Sequence, residues 1–143
     1  MLLEKIIYKK ELFALILRKK NQFKNNGVNF FTDNKDLLQV GLIKHNKNHK
    51  IKSHKHIKKV KKINYCTEVL IIKKGKLKIR FYNNDGIDIK KDKILNKEDI
   101  IILFKGGHGF LVKEELEMIE VKQGPYDQNN DKVQYKISND KWN

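Results

Sequence analysis

The segment Ser53–Gly75, SHKHIKKVKKINYCTEVLIIKKG, contains the residues from which a fold and a candidate site can be predicted. His54 and His56 are two residues apart, so in a β-strand both imidazoles would project from the same face, because side chains alternate with period 2. Such a pair could hold one metal ion. Glu68 then opens the apolar run Val69–Ile72, which is typical of a buried strand.

A second segment, KGGHGF at Lys105–Phe110, follows the apolar run Ile100–Phe104. Its glycines let the backbone bend while it presents one imidazole. Two imidazoles from one strand, a carboxylate from the next and a third imidazole from a later one would supply three nitrogen donors and one oxygen donor. That set suits a divalent transition metal ion such as Zn, Fe, Mn or Ni. The predicted ligands are His54, His56, Glu68 and His108.

The order of these residues resembles the two motifs of the cupin family. The first family motif contains His-x-His, then a Glu, then a Gly seven residues later, and the second ends in a His. The matching residues here are His54, His56, Glu68, Gly75 and His108. The interval Ile57–Thr67 is longer than in the family, and Asn48 stands at the position of the family's first glycine. The resemblance covers Asn48–Lys122.

The resemblance implies an all-β fold, a cupin-type jelly-roll barrel of about ten short strands with little helix. The sequence agrees with an all-β chain, because short apolar runs alternate with turn signals such as Asn83–Gly86 and no convincing amphipathic helix is present. Residues 1–126 are predicted to form one barrel, with N-terminal strands in 1–43 and the metal-motif core in 44–126. Residues 127–143 form a polar C-terminal extension, in which Trp142 indicates some packing.

Several local structures are predicted within this barrel. Lys5–Arg18 is expected to form a pair of strands, with a helix over Leu12–Leu17 as the alternative. Ile57–Asn64 is expected to form an extended hairpin. Lys73–Lys76 is expected to be a tight turn between two strands. Glu98–Asp99 stands where cupins commonly have a Gly-Asp turn. Because cupins often dimerise by pairing N-terminal strands, the resemblance also implies a homodimer.

The resemblance extends to function. Phe31–Thr32, Gly107–Phe110 and Glu120–Tyr126 look like segments of the small cupins associated with bacterial surface-polysaccharide biosynthesis. This implies a metal-dependent enzyme, an isomerase, an epimerase or a dioxygenase, that acts on a small polar substrate such as a sugar or nucleotide-sugar. Two alternatives stay open. One is a binding protein for a sugar or anion without turnover, and the other is a metal-free isomerase that uses histidine as general acid and base.

Three further residues are candidates for catalysis: Tyr65, Glu120 and Lys122. If Glu68 faces inward, alternation places Met118, Glu120 and Lys122 on the inner side of a later strand. Charged groups inside a barrel are costly unless they are paired or used. The alternative is that Ile119 and Val121 fill the core and the charged residues face water.

The chain is strongly basic, with a net charge of +15 and a pI of about 9.8. Arg18 and Arg80 are its two arginines, so a solvated lysine surface is favoured over nucleic-acid binding, which prefers the planar fork of arginine. The exception is Lys44–Lys62, which is dense enough in Lys and His to attract an anionic ligand. The single cysteine, Cys66, is expected to be a small core residue, and it fits a reducing cytoplasm. No spanning segment is predicted, so we expect no membrane partner.

Overall fold

The computed structural model describes residues 3–21, 25–137 and 142. These residues form eight strands and one short 3-10 helix, Lys19–Asn21, so the prediction of an all-β chain is confirmed. The strands are β1 Glu4–Tyr8, β2 Glu11–Leu17, β3 Gly27–Phe30, β4 Gly41–Lys44, β5 Glu68–Tyr82, β6 Lys93–Asn96, β7 Ile100–Leu103 and β8 Gly107–Lys122. Within the described residues, no helix has the length and apolar character needed to cross a membrane.

Strand β5 is the centre of a six-stranded antiparallel sheet. Strands β7 and β6 pair in succession along one of its edges, and β8 pairs along the other edge over nearly its whole length. Beyond β7 the sheet continues with β2 and then β1, which lies at the margin. The predicted Lys5–Arg18 strand pair is therefore confirmed as β1 and β2. A homodimer formed through these strands stays a prediction.

The sheet is strongly curled, because the two ends of β5 approach each other. Glu68 is opposite Leu103, whereas Tyr82 is opposite Gly107. Only three residues connect Leu103 to Gly107, and that length of chain spans at most about 15 Å. A flat strand of 15 residues would instead hold its ends about 46 Å apart. The curled sheet thus has an open mouth where the first and last residues of β5 face each other.

Burial of apolar side chains on both faces explains the curl. The concave face encloses a cluster that joins Leu70 and Ile72 from the first half of β5 to Leu77, Ile79 and Phe81 from its second half. A second cluster covers the convex face of the first half. It packs side chains from β2, β5 and β7 against residues of the separate β3–β4 hairpin and the loop between its strands. Burial of apolar area in these two clusters is favourable, so it stabilises the curled arrangement of the main sheet.

The predicted turn at Lys73–Lys76 is wrong. The chain continues through it as one strand, and the pairing with β8 contains register shifts between Ile72 and Leu77. Gly75 lies at the centre of this irregular region with φ of 82°. Bulges increase bending and twist, so the glycine serves to bend a long strand rather than to reverse it. The described residues consequently form fewer and longer strands than the ten short ones predicted, in an open curled sheet instead of a closed barrel.

The prediction of strands between Ser53 and Asn64 is also wrong. The structure has no strand between Lys44 and Glu68, and all residues from 46 to 66 are exposed. The physical reason lies in composition. Isolated aliphatic residues are separated by lysines and histidines, so no continuous apolar face is available to bury against the sheet. His54 and His56 therefore lie in an extended loop.

Candidate ligand pocket

A pocket of about 740 Å³ occupies the mouth of the curled sheet. Its walls come from three parts of the chain: the ends of β5, the β7–β8 connection, and a C-terminal segment, residues 131–137. The lining residues are Tyr65, Cys66, Glu68, Tyr82, Asn84, Leu103, Lys105, Gly106, Gly107, His108, Gly109, Asp131, Lys132, Val133, Gln134, Tyr135 and Ile137. Volumes in this range are typical of sites for small organic ligands.

Glu68 and His108 are in contact in this pocket. His108 Nε2 lies 3.3 Å from Glu68 Oε2, and both side chains are partly accessible to solvent. The first residue of β5 and the second residue of β8 meet because the curl brings opposite ends of the sheet together. The hydrogen bond from His108 holds the pKa of the Glu68 carboxyl below its usual value, although burial opposes this effect. Two of the four predicted metal ligands are thus adjacent.

Glycines in the β7–β8 connection allow this geometry. Gly106 has φ of 74°, and a Cβ at this position would lie 2.2 Å from the Phe13 ring. A Cβ on Gly107 would lie 2.2 Å from the ring of Tyr135. The sequence prediction that these glycines let the chain bend is confirmed, and they have a second role. They provide the space in which aromatic rings pack against the backbone beside His108.

The C-terminal segment is a wall of the pocket. The Tyr135 hydroxyl donates a hydrogen bond to the Asn83 carbonyl over 3.2 Å, and Lys122 Nζ lies 3.1 Å from Asp131 Oδ2. The interaction with Asp131 raises the pKa of Lys122. Farther along, the ring of Trp142 lies 4.7 Å from the Arg80 guanidinium carbon, so the expected packing of Trp142 is confirmed. Lys122 does not line the pocket itself, but it contacts Asp131, which does.

Tyr65 and Cys66 lie at the rim of the pocket. The Tyr65 ring is exposed, with Lys105 Nζ 5.8 Å from its centroid, and Lys105 also pairs with Glu11 at 2.7 Å. Cys66 is exposed, so the expectation of a core cysteine is wrong. Partial burial of the thiol and the charge of Glu68 raise the pKa of Cys66, which disfavours a reactive thiolate.

Two predicted metal ligands lie outside the pocket lining. His54 and His56 stack edge to face with ring centroids 5.4 Å apart, and His54 Nδ1 contacts the Lys52 carbonyl at 2.9 Å. Within residues 3–21, 25–137 and 142, no group of three or more His, Cys, Asp or Glu side chains is arranged to hold a metal ion. The donors gathered in the pocket do not fit the predicted four-ligand site, and metal binding stays a prediction.

Glu120 is exposed on β8 and does not line the pocket. The predicted alternation is present, because Met118 is opposite Ile72 and packs on the concave cluster, while Lys122 is opposite Glu68. The alternative in which Ile119 and Val121 fill the core is wrong, since 46% and 47% of these residues are exposed. A catalytic role for Glu120 stays a prediction, and its position outside the pocket lining gives that role no support.

Sequence reasoning missed the pocket residues contributed by the C-terminal segment, chiefly Asp131 and Tyr135. The signal available was weak: Tyr135 and Trp142 are aromatic residues in an otherwise polar stretch.

Comparison of the chain with protein-family models, with curated proteins and with solved structures found no match.

The Glu68–His108 pair predicts a specific pH dependence of stability. Because the pKa of Glu68 is lower in the folded chain than its usual value of 4.5, its ionised form stabilises the fold above that pH. This contribution is lost as the pH falls through the folded-state pKa. We expect Glu68→Gln to lower the free energy of unfolding by about 1 kcal/mol at pH 6. The difference from wild type should shrink below pH 4.5 in urea titrations at a series of pH values.

A suitable control is Glu117→Gln, which changes an exposed carboxylate on β8 that has no ion pair in the described structure. Its stability should follow that of wild type throughout. A Glu68→Gln deficit that is the same at pH 6 and pH 3 would show that the carboxylate charge does not stabilise the fold.

Proposed function

We propose that this chain is a cupin-like all-β domain whose pocket binds a small polar molecule and transfers a proton on it. His108 acts as the general acid and base, and Glu68 orients its imidazole. The observation that carries the proposal is the 3.3 Å contact between His108 Nε2 and Glu68 Oε2 inside the pocket. A base held by an adjacent carboxylate is a recurring arrangement in acid–base catalysis.

In this proposal the two imidazole nitrogens have different roles. Nε2 is directed at the carboxylate, which leaves Nδ1 to exchange a proton with a bound ligand. Glu68 stays ionised because its pKa is lowered, so it can stabilise the imidazolium that forms when His108 accepts a proton. Both side chains are partly accessible, which allows a ligand in the pocket to reach them.

The electrostatics of the pocket favour a neutral or singly charged ligand. The lining residues Asp131 and Lys105 are paired with Lys122 and Glu11, and Glu68 contacts His108. Lys132 also lines the pocket, and within the described residues it has no carboxylate partner, so it can meet one negative charge on a ligand. The hydroxyl of Tyr65 and the amides of Asn84 and Gln134 add groups that can hydrogen-bond to a hydroxyl-rich molecule. These features support a sugar or sugar derivative as the ligand class, in agreement with the resemblance.

The test is a comparison of ligand binding and turnover in the full chain. We would screen monosaccharides and nucleotide-sugars by thermal shift, and then follow any binder by NMR for isomerisation or solvent deuterium exchange. His108→Asn should lower turnover by about 100-fold or more while binding changes little, because removal of a general acid–base group costs about this factor. Glu68→Gln should lower turnover less, because it leaves the imidazole in place.

His54→Asn is the matched control, since His54 does not line the pocket. Under acid–base catalysis it should retain full turnover, and a chelator should have no effect. Loss of turnover both in His54→Asn and after chelation would overturn the proposal in favour of a metal enzyme. Binding without any turnover would instead identify a binding protein, and no binder among the sugars would refute the proposed ligand class.

A further inference from the structure

Residues 44–62, here called the basic segment, concentrate positive charge in one place. They contain nine lysines and four histidines and no aspartate or glutamate. A large part of the net charge of +15 therefore lies in 19 consecutive residues. Like charges at this density repel one another, so the segment favours a partner that supplies negative charge.

The fold leaves most of this charge uncompensated. Elsewhere lysines pair with carboxylates, as in Lys74–Glu115 and Lys76–Glu114. In the part of the chain that the structure describes, no lysine between residues 47 and 62 forms an ion pair, and all residues from 46 to 62 are exposed. Residues 47–62 can thus meet a negatively charged surface along their whole length.

Aliphatic side chains lie between these lysines and are directed into solvent. Val60 is 98% exposed and Ile57 79%, while Ile51 is also exposed, as is Ile63 just after the segment. Exposed aliphatic groups interleaved with lysines are suited to the boundary between lipid headgroups and acyl chains. Nucleic acids would make little use of these aliphatic groups. The basic segment contains no Arg, Phe, Tyr or Trp, and its four histidine rings contact one another in the pairs His45–His49 and His54–His56, so fewer ring faces are open for stacking on bases.

We infer that the basic segment docks the protein on an anionic phospholipid bilayer. The lysines bind the headgroups electrostatically, and Ile57 and Val60 enter the interface. The expectation of no membrane partner came from the absence of a spanning segment. Peripheral docking needs none, because each lysine near an anionic surface adds to the attraction and partly inserted aliphatic groups contribute further.

Sedimentation of the full chain with vesicles tests this inference. The vesicles would be phosphatidylcholine alone, or phosphatidylcholine with about 30 mol % phosphatidylglycerol. Wild type should bind the vesicles that contain phosphatidylglycerol and should not bind those of phosphatidylcholine alone. Added salt should weaken this binding. Changing Lys58, Lys59, Lys61 and Lys62 to Gln should weaken binding at least about tenfold. Changing Ile57 and Val60 to Ser should weaken it at least about threefold at unchanged charge.

The matched control changes four exposed lysines outside the basic segment to Gln: Lys5, Lys20, Lys91 and Lys113. It has the same net charge as the quadruple variant, so retained binding would show that position matters. Equal losses in the two variants, or no binding by wild type, would overturn the inference. Binding to single-stranded poly-U that is stronger than to the vesicles and insensitive to the Ile57 and Val60 changes would also overturn it, in favour of nucleic acid.

Discussion

Asp99→Ala should lower the free energy of unfolding by about 3–5 kcal/mol, the largest effect that we expect from one side-chain truncation in this chain. Asp99 is only 3% exposed. Its carboxylate accepts hydrogen bonds from Arg18 Nη1 at 2.7 Å and from the backbone amides of Lys19 and Asn96, both at 3.0 Å. Truncation would leave these donors without their acceptor at the point where β2 meets the β6–β7 turn. Urea unfolding measures the loss.

Arg18 provides a second test of the same network. It also donates to the carboxylate of Glu4, at 2.8 Å, so that one guanidinium joins β1 to the β6–β7 turn. Arg18→Met should destabilise strongly, because it leaves the buried Asp99 charge without its cation. The neighbouring Glu98 is exposed and pairs with Lys19 at the surface, so Glu98→Ala should have little effect. Equal effects of Asp99→Ala and Glu98→Ala would contradict this account.

Gly75→Ala should lower the free energy of unfolding by about 3 kcal/mol or more. Gly75 has φ of 82°, a conformation that costs a residue with a Cβ about 1–2 kcal/mol. The added Cβ would also lie 2.0 Å from the Glu115 carbonyl oxygen, so the backbone of β8 would have to move. Both effects act where β5 bends, and the damage should extend to the curl of the sheet. Thermal and urea unfolding would measure the loss of stability.

Gly27→Ala separates the cost of the positive φ from the cost of the steric contact with β8. Gly27 also has a positive φ, of 115°, but an added Cβ there would meet no atom within 4 Å. It should therefore show backbone strain alone and a smaller loss than Gly75→Ala. If the two substitutions destabilise the chain equally, the close approach of β8 to Gly75 is not important. A selective loss in Gly75→Ala should also weaken ligand binding, because the pocket depends on the curl.

Local patterns predicted those elements that are decided by neighbouring residues. The strand pair within Lys5–Arg18 followed from short β-branched runs interrupted by charge, and the turn at Asn83–Gly86 from residues that tolerate positive φ. The turn at Glu98–Asp99 also forms, with Glu98 at φ of 69°. In each case the competing conformations differ by local backbone preferences, which the sequence displays directly.

Predictions failed where distant contacts override a local signal. Lys73–Lys76 has the composition of a turn, yet it continues as strand because β8 pairs alongside it and bulges absorb the bend. The histidines at 54 and 56 match a motif, but the segment around them lacks an apolar face and stays an exposed loop. In the pocket, Glu68 and His108 were predicted from the resemblance, whereas Asp131 and Tyr135 come from a segment with no motif.

The sequence by itself determined that the chain is all-β, where most of its short turns lie, and that positive charge is concentrated at residues 44–62. These properties depend on composition, periodicity and backbone preferences that each segment carries with it. Only the tertiary structure decided that β5 bends as one strand, that Glu68 meets His108 without His54 and His56, and that the C-terminal segment forms a wall of the pocket beside them. Those outcomes depend on contacts between residues far apart in the chain. These contacts contribute to stability only once the sheet has formed and both of its apolar faces are buried.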